Sequence, residues 1–150
     1  MSDEDNACWS AIKEAADALQ EKCVSRVGIN TFKHNRYSTS YDNTIIMNDI
    51  TTEGGHIEIM ENSPYAGGRH SVSTLYVDEE KRGQGIGGKL VDEFIKTYNT
   101  NLSAQTSNIG SVKLFYKKGF RPKEHPTATL EETINLFYES RAGSISMMYD

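Results

Sequence analysis

A run of glycines between a β-branched stretch and an amphipathic one constrains this chain more than any other feature. Residues 71–77, SVSTLYV, carry branched, aromatic or small side chains at both parities. That is the pattern of a strand covered on both faces, and so central in its sheet. Further on, Ile86, Leu90, Val91, Phe94, Ile95 and Tyr98 fall on one side of a helix ending near Tyr98. Arg82-Gly83-Gln84-Gly85-Ile86-Gly87-Gly88-Lys89 joins the two. A strand that enters a helix through glycines turns several backbone N–H groups towards one point, where the helix also adds partial positive charge. The product is an anion site.

The remaining pattern builds an α/β domain around that unit. Trp9, Ile12, Ala16, Leu19 and Cys23 predict an amphipathic helix over 6–25, and residues 26–44 are irregular with room for a short strand. TIIMNDI and HIEIMEN, separated by Thr51-Thr52-Glu53-Gly54-Gly55, read as a β-hairpin. NLSAQT (101–106) is a further strand, and Ser107 or Asn108 can cap a helix that runs through Lys118 and stops at Gly119. Strand, helix, strand implies that 71–77 and 101–106 run parallel. Thr129 with Glu132 matches a capping box opening a helix at about 130–141, with Leu130, Ile134, Phe137 and Tyr138 as its apolar stripe. SISMMYD closes the chain as a last strand.

Composition narrows the function. The 150 residues favour a single domain. The formal charge of −5 gives no long-range attraction to phosphate backbones, which argues against nucleic acid as partner. No run approaches the length of a membrane span, and the first residues are acidic where a signal peptide is basic, so a cytoplasmic location is expected. Cys8 and Cys23 form no CxxC and no Cys/His cluster, so they read as reduced thiols and no metal site is expected.

The glycine segment fits three phosphate-binding patterns. As GxGxxG, Gly83, Gly85 and Gly88 lack the acidic residue that a dinucleotide fold places about twenty residues on, where this chain has NLSAQTSN. As GxxxxGK, residues 83–89 are followed by Leu90 where a P-loop needs a Mg²⁺-binding Ser or Thr. The third pattern holds. LYVDEEKRGQGIGGKLVDEFI, with Arg82, Gly85 and Gly87 in the key places, resembles the acyl-CoA binding motif of the GNAT superfamily of N-acetyltransferases. Asn108, Ser111 and the run Leu114-Phe115-Tyr116-Lys117-Lys118-Gly119-Phe120 are similar to that superfamily's second motif.

The resemblance implies a GNAT-like mixed sheet of about six to seven strands with flanking helices, binding acetyl-CoA as cosubstrate. It implies that Leu75, Tyr76 and Val77 hold the pantetheine arm and acyl carbonyl, and that Arg82, Gly83, Gln84, Gly85, Ile86, Gly87 and Gly88 hold the diphosphate. Asn108, Ser111 and Tyr116 complete the cofactor side, with Tyr116 as the acid that protonates the departing thiolate. The implied reaction is direct attack by a primary amine in a ternary complex, the amine belonging to a small molecule or to a protein. The alternative is a non-catalytic module that binds CoA or a protein partner on the same fold.

Amine attack also needs a proton acceptor. The position where some GNAT members carry a glutamate is near Ser71, which cannot serve, so the candidates are His70, Glu58 and Glu61. Lys113, Lys117, Lys118, Arg121 and Lys123 form a basic cluster suited either to a helix C-terminus or to a CoA phosphate or acidic partner. Carboxylates lining the acceptor cleft would favour a cationic amine. The helix at about 130–141 is extra length between the last two strands, expected beside the acceptor cleft or across a homodimer interface if it does not merely cap the core.

Overall fold

The computed structural model describes residues 31–39 and 43–150. The expected helix over 6–25, with both cysteines, lies outside the described residues. The strands are β1 (Lys33–Ser38), β2 (Ile46–Thr52), β3 (Gly55–Glu61), β4 (His70–Val77), β5 (Leu102–Thr106), β6 (Arg121–Pro122) and β7 (Ile145–Tyr149). The helices are α1 (Ile86–Tyr98), α2 (Ile109–Lys117) and α3 (Leu130–Glu139), with short 3₁₀ turns at Pro64–Ala66 and Glu79–Lys81. All strands join one seven-stranded sheet in the order β1-β2-β3-β4-β5-β7-β6. Among the described residues only β4 and β5 pair in parallel, so the sheet is mixed.

Alternation decides which side chains reach the core. Ile50, Ile57 and Ile59 point to one face and meet Ile86, Leu90, Val91 and Phe94 of α1. Leu102, Ala104 and Met147 continue that face and meet Val112 and Phe115 of α2. Gly119 stops α2 in a left-handed conformation (φ 104°). Its N–H donates to Tyr116 O and that of Phe120 to Phe115 O, while the rings of Phe115 and Phe120 pack edge to face at 5.0 Å.

Close approach matters most at the hairpin. A Cβ on Gly55 would stand 2.7 Å from the backbone oxygen of Tyr76. Gly55→Ala should therefore destabilise the chain by about 1–3 kcal/mol, because a carbonyl in a sheet ladder has no room to retreat. Urea unfolding checks this, and an unchanged midpoint would contradict it.

One expectation needs correction. Strand β4 sits fourth of seven as expected, but it is not covered on both faces, since Ser73, Thr74 and Tyr76 are exposed. The stripe on α3 is only partly buried. Thr133 is fully buried and Phe137 packs on the core, whereas Leu130 and Tyr138 are 38% and 68% exposed. The capping box is present, with Thr129 Oγ1 accepting from Glu132 N–H and Glu132 Oε1 accepting from Thr129 N–H.

Candidate active site

The site is built where β4 leaves β5. The last parallel pair is Val72 with Ala104, and beyond it residues 73–77 have no neighbour on that side. A bulge falls at the same point, because Glu58 pairs with Thr74 but Ile59 with Val72, leaving Ser73 as the extra residue. Backbone bonding shows its effect. His70 N–H donates to Asn101 O on the β5 side, and Asp78 N–H donates to Gly54 O on the β3 side. In a regular strand residues 70 and 78 would point the same way, so the inserted residue has reversed the parity. Leu75 and Val77 therefore direct their backbone groups into the gap that β5 has left, with the Val77 carbonyl already accepting from Arg82 Nε at 3.0 Å.

The glycine turn overlooks the end of this gap. Gly83 and Gly85 have φ of 84° and 82°, conformations that L side chains rarely adopt, and a Cβ on either would project into open space. Gly85 is the N-cap of α1 with no side-chain cap, and the amides of residues 83–88 have no backbone partner among the described residues. Gly87 and Gly88 face α2 at ordinary contact distance. A Cβ on Gly87 would meet Leu114 Cδ2 at 3.5 Å, and one on Gly88 would meet Lys118 Cε at 3.4 Å. The result is a cradle of unpaired donors at a helix N-terminus beside a strand edge with free backbone groups, a fit for a diphosphate joined to an amide-bearing arm.

Of the expected cofactor side chains, Arg82 folds over the Tyr76 ring, 5.9 Å from its centroid, and stays at the mouth of the gap. Asn108 caps α2, its Oδ1 accepting from Ser111 N–H at 2.8 Å. Tyr116 is not brought to the gap. It follows Leu114, which faces the glycine turn, by two residues, about 200° around the helix. Its hydroxyl donates to Ala128 O at 2.9 Å, on the side where α3 packs. The basic cluster is divided. Lys118 pairs with Asp92 at 2.9 Å beside the turn, and Arg121 stacks on Tyr116 and donates to the carbonyls of Tyr116 and Phe120.

The three candidate bases separate as well. Glu61 and His70 lie at the far end of β4 in a partly buried network on the helix-covered face. Glu61 accepts from Arg36 (2.7 and 2.9 Å) and from Tyr98, while His70 stacks on Tyr98 and its Nδ1 accepts from Asn62 N–H. Burial acts to raise the Glu61 pKa, but the hydrogen bonds from Arg36 and Tyr98 and the Arg36 charge outweigh it and hold the carboxyl below its ordinary value. A depressed carboxyl stabilises the fold fully above its unfolded pKa of about 4.3 and ceases to do so as pH falls through the folded value. The stability difference between the parent chain and Glu61→Gln should thus be constant near neutrality and shrink below about pH 4. Denaturation across pH checks this, and a difference independent of pH would contradict it.

Glu58 alone stands at the parting of the strands, opposite Thr74 and on the face away from α1. It accepts from the Tyr37 hydroxyl, and that bond, with burial, pushes the Tyr37 phenol up to about 12. Sequence reasoning passed over two neighbours on this face, His56 and Asp49, whose Nδ1 and Oδ1 lie 3.0 Å apart. Neither has a motif. Their cross-strand pairing, His56 opposite Thr51 and Asp49 opposite Glu58, depends on hairpin register. No group of three or more metal-ligating side chains occurs among the described residues, and none of their helices is long and apolar enough to cross a membrane.

This fold and cradle define a GNAT-type acyltransferase. The acetyltransferase (GNAT) domain model matches residues 41–122, more than half of the chain, and the chain belongs to that family. Among solved structures it is similar to IAA acetyltransferase of Bacillus cereus, at 18% identity over 61% of this chain and 78% of that one, with a TM-score of 0.45. It is also similar to a Klebsiella pneumoniae protein described as an acyl-CoA N-acyltransferase, at 19% identity over 95% of this chain and 88% of that one, with a TM-score of 0.48. No curated protein matches the chain.

Proposed function

We propose that the chain transfers acetyl from acetyl-CoA to a primary amine by direct attack within a ternary complex. The observation that carries this reading is the coincidence, at one end of β4, of a strand edge, left unpaired by β5 beyond Val72 and turned outward by the Ser73 bulge, with the unpartnered amides of residues 83–88. The amides and the N-terminus of α1 bind the diphosphate. The free backbone groups of Leu75 and the N–H of Val77, whose carbonyl is held by Arg82, pair with the pantetheine arm and orient the thioester. Lys118, paired with Asp92, stands beside the turn.

The amine must approach from the face away from α1, because α1 and α2 fill the other. There Glu58 takes the role of base. As the amine nitrogen bonds to the acyl carbon, one N–H proton passes to the carboxylate, directly or through water. The carbon–sulfur bond breaks, and the proton ends on the CoA sulfur, giving an amide and a free thiol. Thiol release from acetyl-CoA with a panel of amines tests the reading. Amine-dependent release with a matching N-acetylated product is expected. Acetyl-CoA binding with no acceptor-dependent release would make the chain a binding module instead.

A further inference from the structure

The face of the sheet opposite α1 carries a cavity of about 480 Å³ that holds the size of a small acceptor. Its floor is the paired part of β4, β5 and β7, where Ser71, Ser103 and Ser146 point away from the core, and Gln105 brings its rim to the place where the strands part. The charged residues that line it are Arg69 and Lys123, both positive in a chain whose formal charge is −5. Carboxylates, the expected lining for a cationic amine, are absent from it among the described residues.

The two cations are held differently. The Arg69 side chain is 19% exposed, and its Nη1 donates to Leu102 O at 3.1 Å and to Asp150 Oδ1 at 2.8 Å, which fixes the guanidinium at the cavity wall. Lys123 is exposed and has no ion-pair partner among the described residues, although its own backbone N–H is tied to Ser146 O at 3.0 Å. Ser103 is 5% exposed, and its hydroxyl has no hydrogen-bond partner among the described residues. The Ser146 hydroxyl is taken up by Gln105 Oε1 at 2.6 Å, which leaves a fixed guanidinium, an unpaired ammonium and the Ser103 hydroxyl around a small cavity as a receptor for a compact anion.

We infer that the acceptor is a small primary amine bearing an anionic group, carboxylate or phosphate, which Arg69 and Lys123 hold in this cavity while the amine reaches the parting of β4 and β5. The inference rests on the acetyltransferase reading and names its acceptor class. It also explains how an acidic chain can select an anionic substrate, since Arg69 and Lys123 are the charged residues that line this cavity.

The test compares matched amines in the thiol-release assay: 4-aminobutyrate and glycine against their ethyl esters, O-phosphoethanolamine against ethylamine, and spermidine as the cationic arm. The anionic member of each pair is expected to have the higher kcat/KM by about tenfold or more, the size of a lost charge-assisted contact. The carboxylates and the phosphate then rank the two anion types. Lys123→Glu should raise KM for the anionic amines by a similar factor and leave the acetyl-CoA KM unchanged. Preference for the esters or for spermidine, or an unmoved KM in Lys123→Glu, overturns the inference. Binding of N-acetyl-4-aminobutyrate and of its ethyl ester, followed by NMR in the parent chain and in Lys123→Glu, reads the cavity without turnover. Selective binding of the free acid with no amine-dependent thiol release would sink the acetyltransferase reading but keep the cavity's anion preference. Equal binding of acid and ester would sink that preference.

Discussion

Gly87→Asp is expected to lose acetyl-CoA affinity by about 100-fold or more while remaining folded, since placing like charges together costs several kcal/mol. Gly87 is the second residue of α1, and its φ is not in the left-handed region. A Cβ there meets Leu114 Cδ2 at 3.5 Å and Val77 Cγ2 at 3.7 Å, both ordinary contacts. An acidic side chain in a first helical turn favours the helix, so misfolding does not account for the loss. What the carboxylate opposes is the diphosphate, because it takes up the helix N-terminus and brings negative charge to the cradle. Gly87→Ala is the control and should bind within a few-fold of the parent chain, since it adds a methyl and no charge. Calorimetric titration checks both, and unchanged affinity in folded Gly87→Asp would remove the turn from the binding site.

Glu58→Gln is expected to lower turnover on the order of 100-fold and leave acetyl-CoA affinity unchanged. The amide is the same size, and its oxygen still accepts from the Tyr37 hydroxyl, so the β3 face keeps its arrangement. The group removed is the one carboxylate of the three candidate bases that stands at the strand parting, and it lies on the face away from the glycine turn. Turnover within twofold of the parent chain, with chemistry shown to limit the rate, would release Glu58 from the reaction and move attention to His56 with Asp49.

Features written in a short stretch of sequence were legible. The hairpin turn at Glu53 and Gly54, the Asn108 cap, the Gly119 stop and the Thr129 capping box each depend on residues a few positions apart, and each forms as its residue types require. The glycine turn was legible for the same reason. Features that depend on a distant partner were not. The Ser73 bulge has no signature of its own, and neither has the end of the β4–β5 pairing at Val72, which leaves residues 73–77 with an open edge. Tyr116 sits one residue past Phe115, which takes the buried position, and that single step of helix carries the phenol round towards α3. Arg69 and Lys123, 54 positions apart, become neighbours of one cavity only when β7 pairs with β5. The two-residue strand β6 is too short for any periodicity to mark it.

Amide NMR of the isotopically labelled chain, titrated with acetyl-CoA, tests most directly whether the parted strand edge and the glycine turn together form the cofactor site. Large, saturable shifts are expected at the amides of Gly83, Gly85, Gly87 and Gly88 and at those of Leu75 and Val77, with little change at Glu61 and His70. Shifts confined to residues away from β4 and the turn, or no saturable shifts, would contradict it.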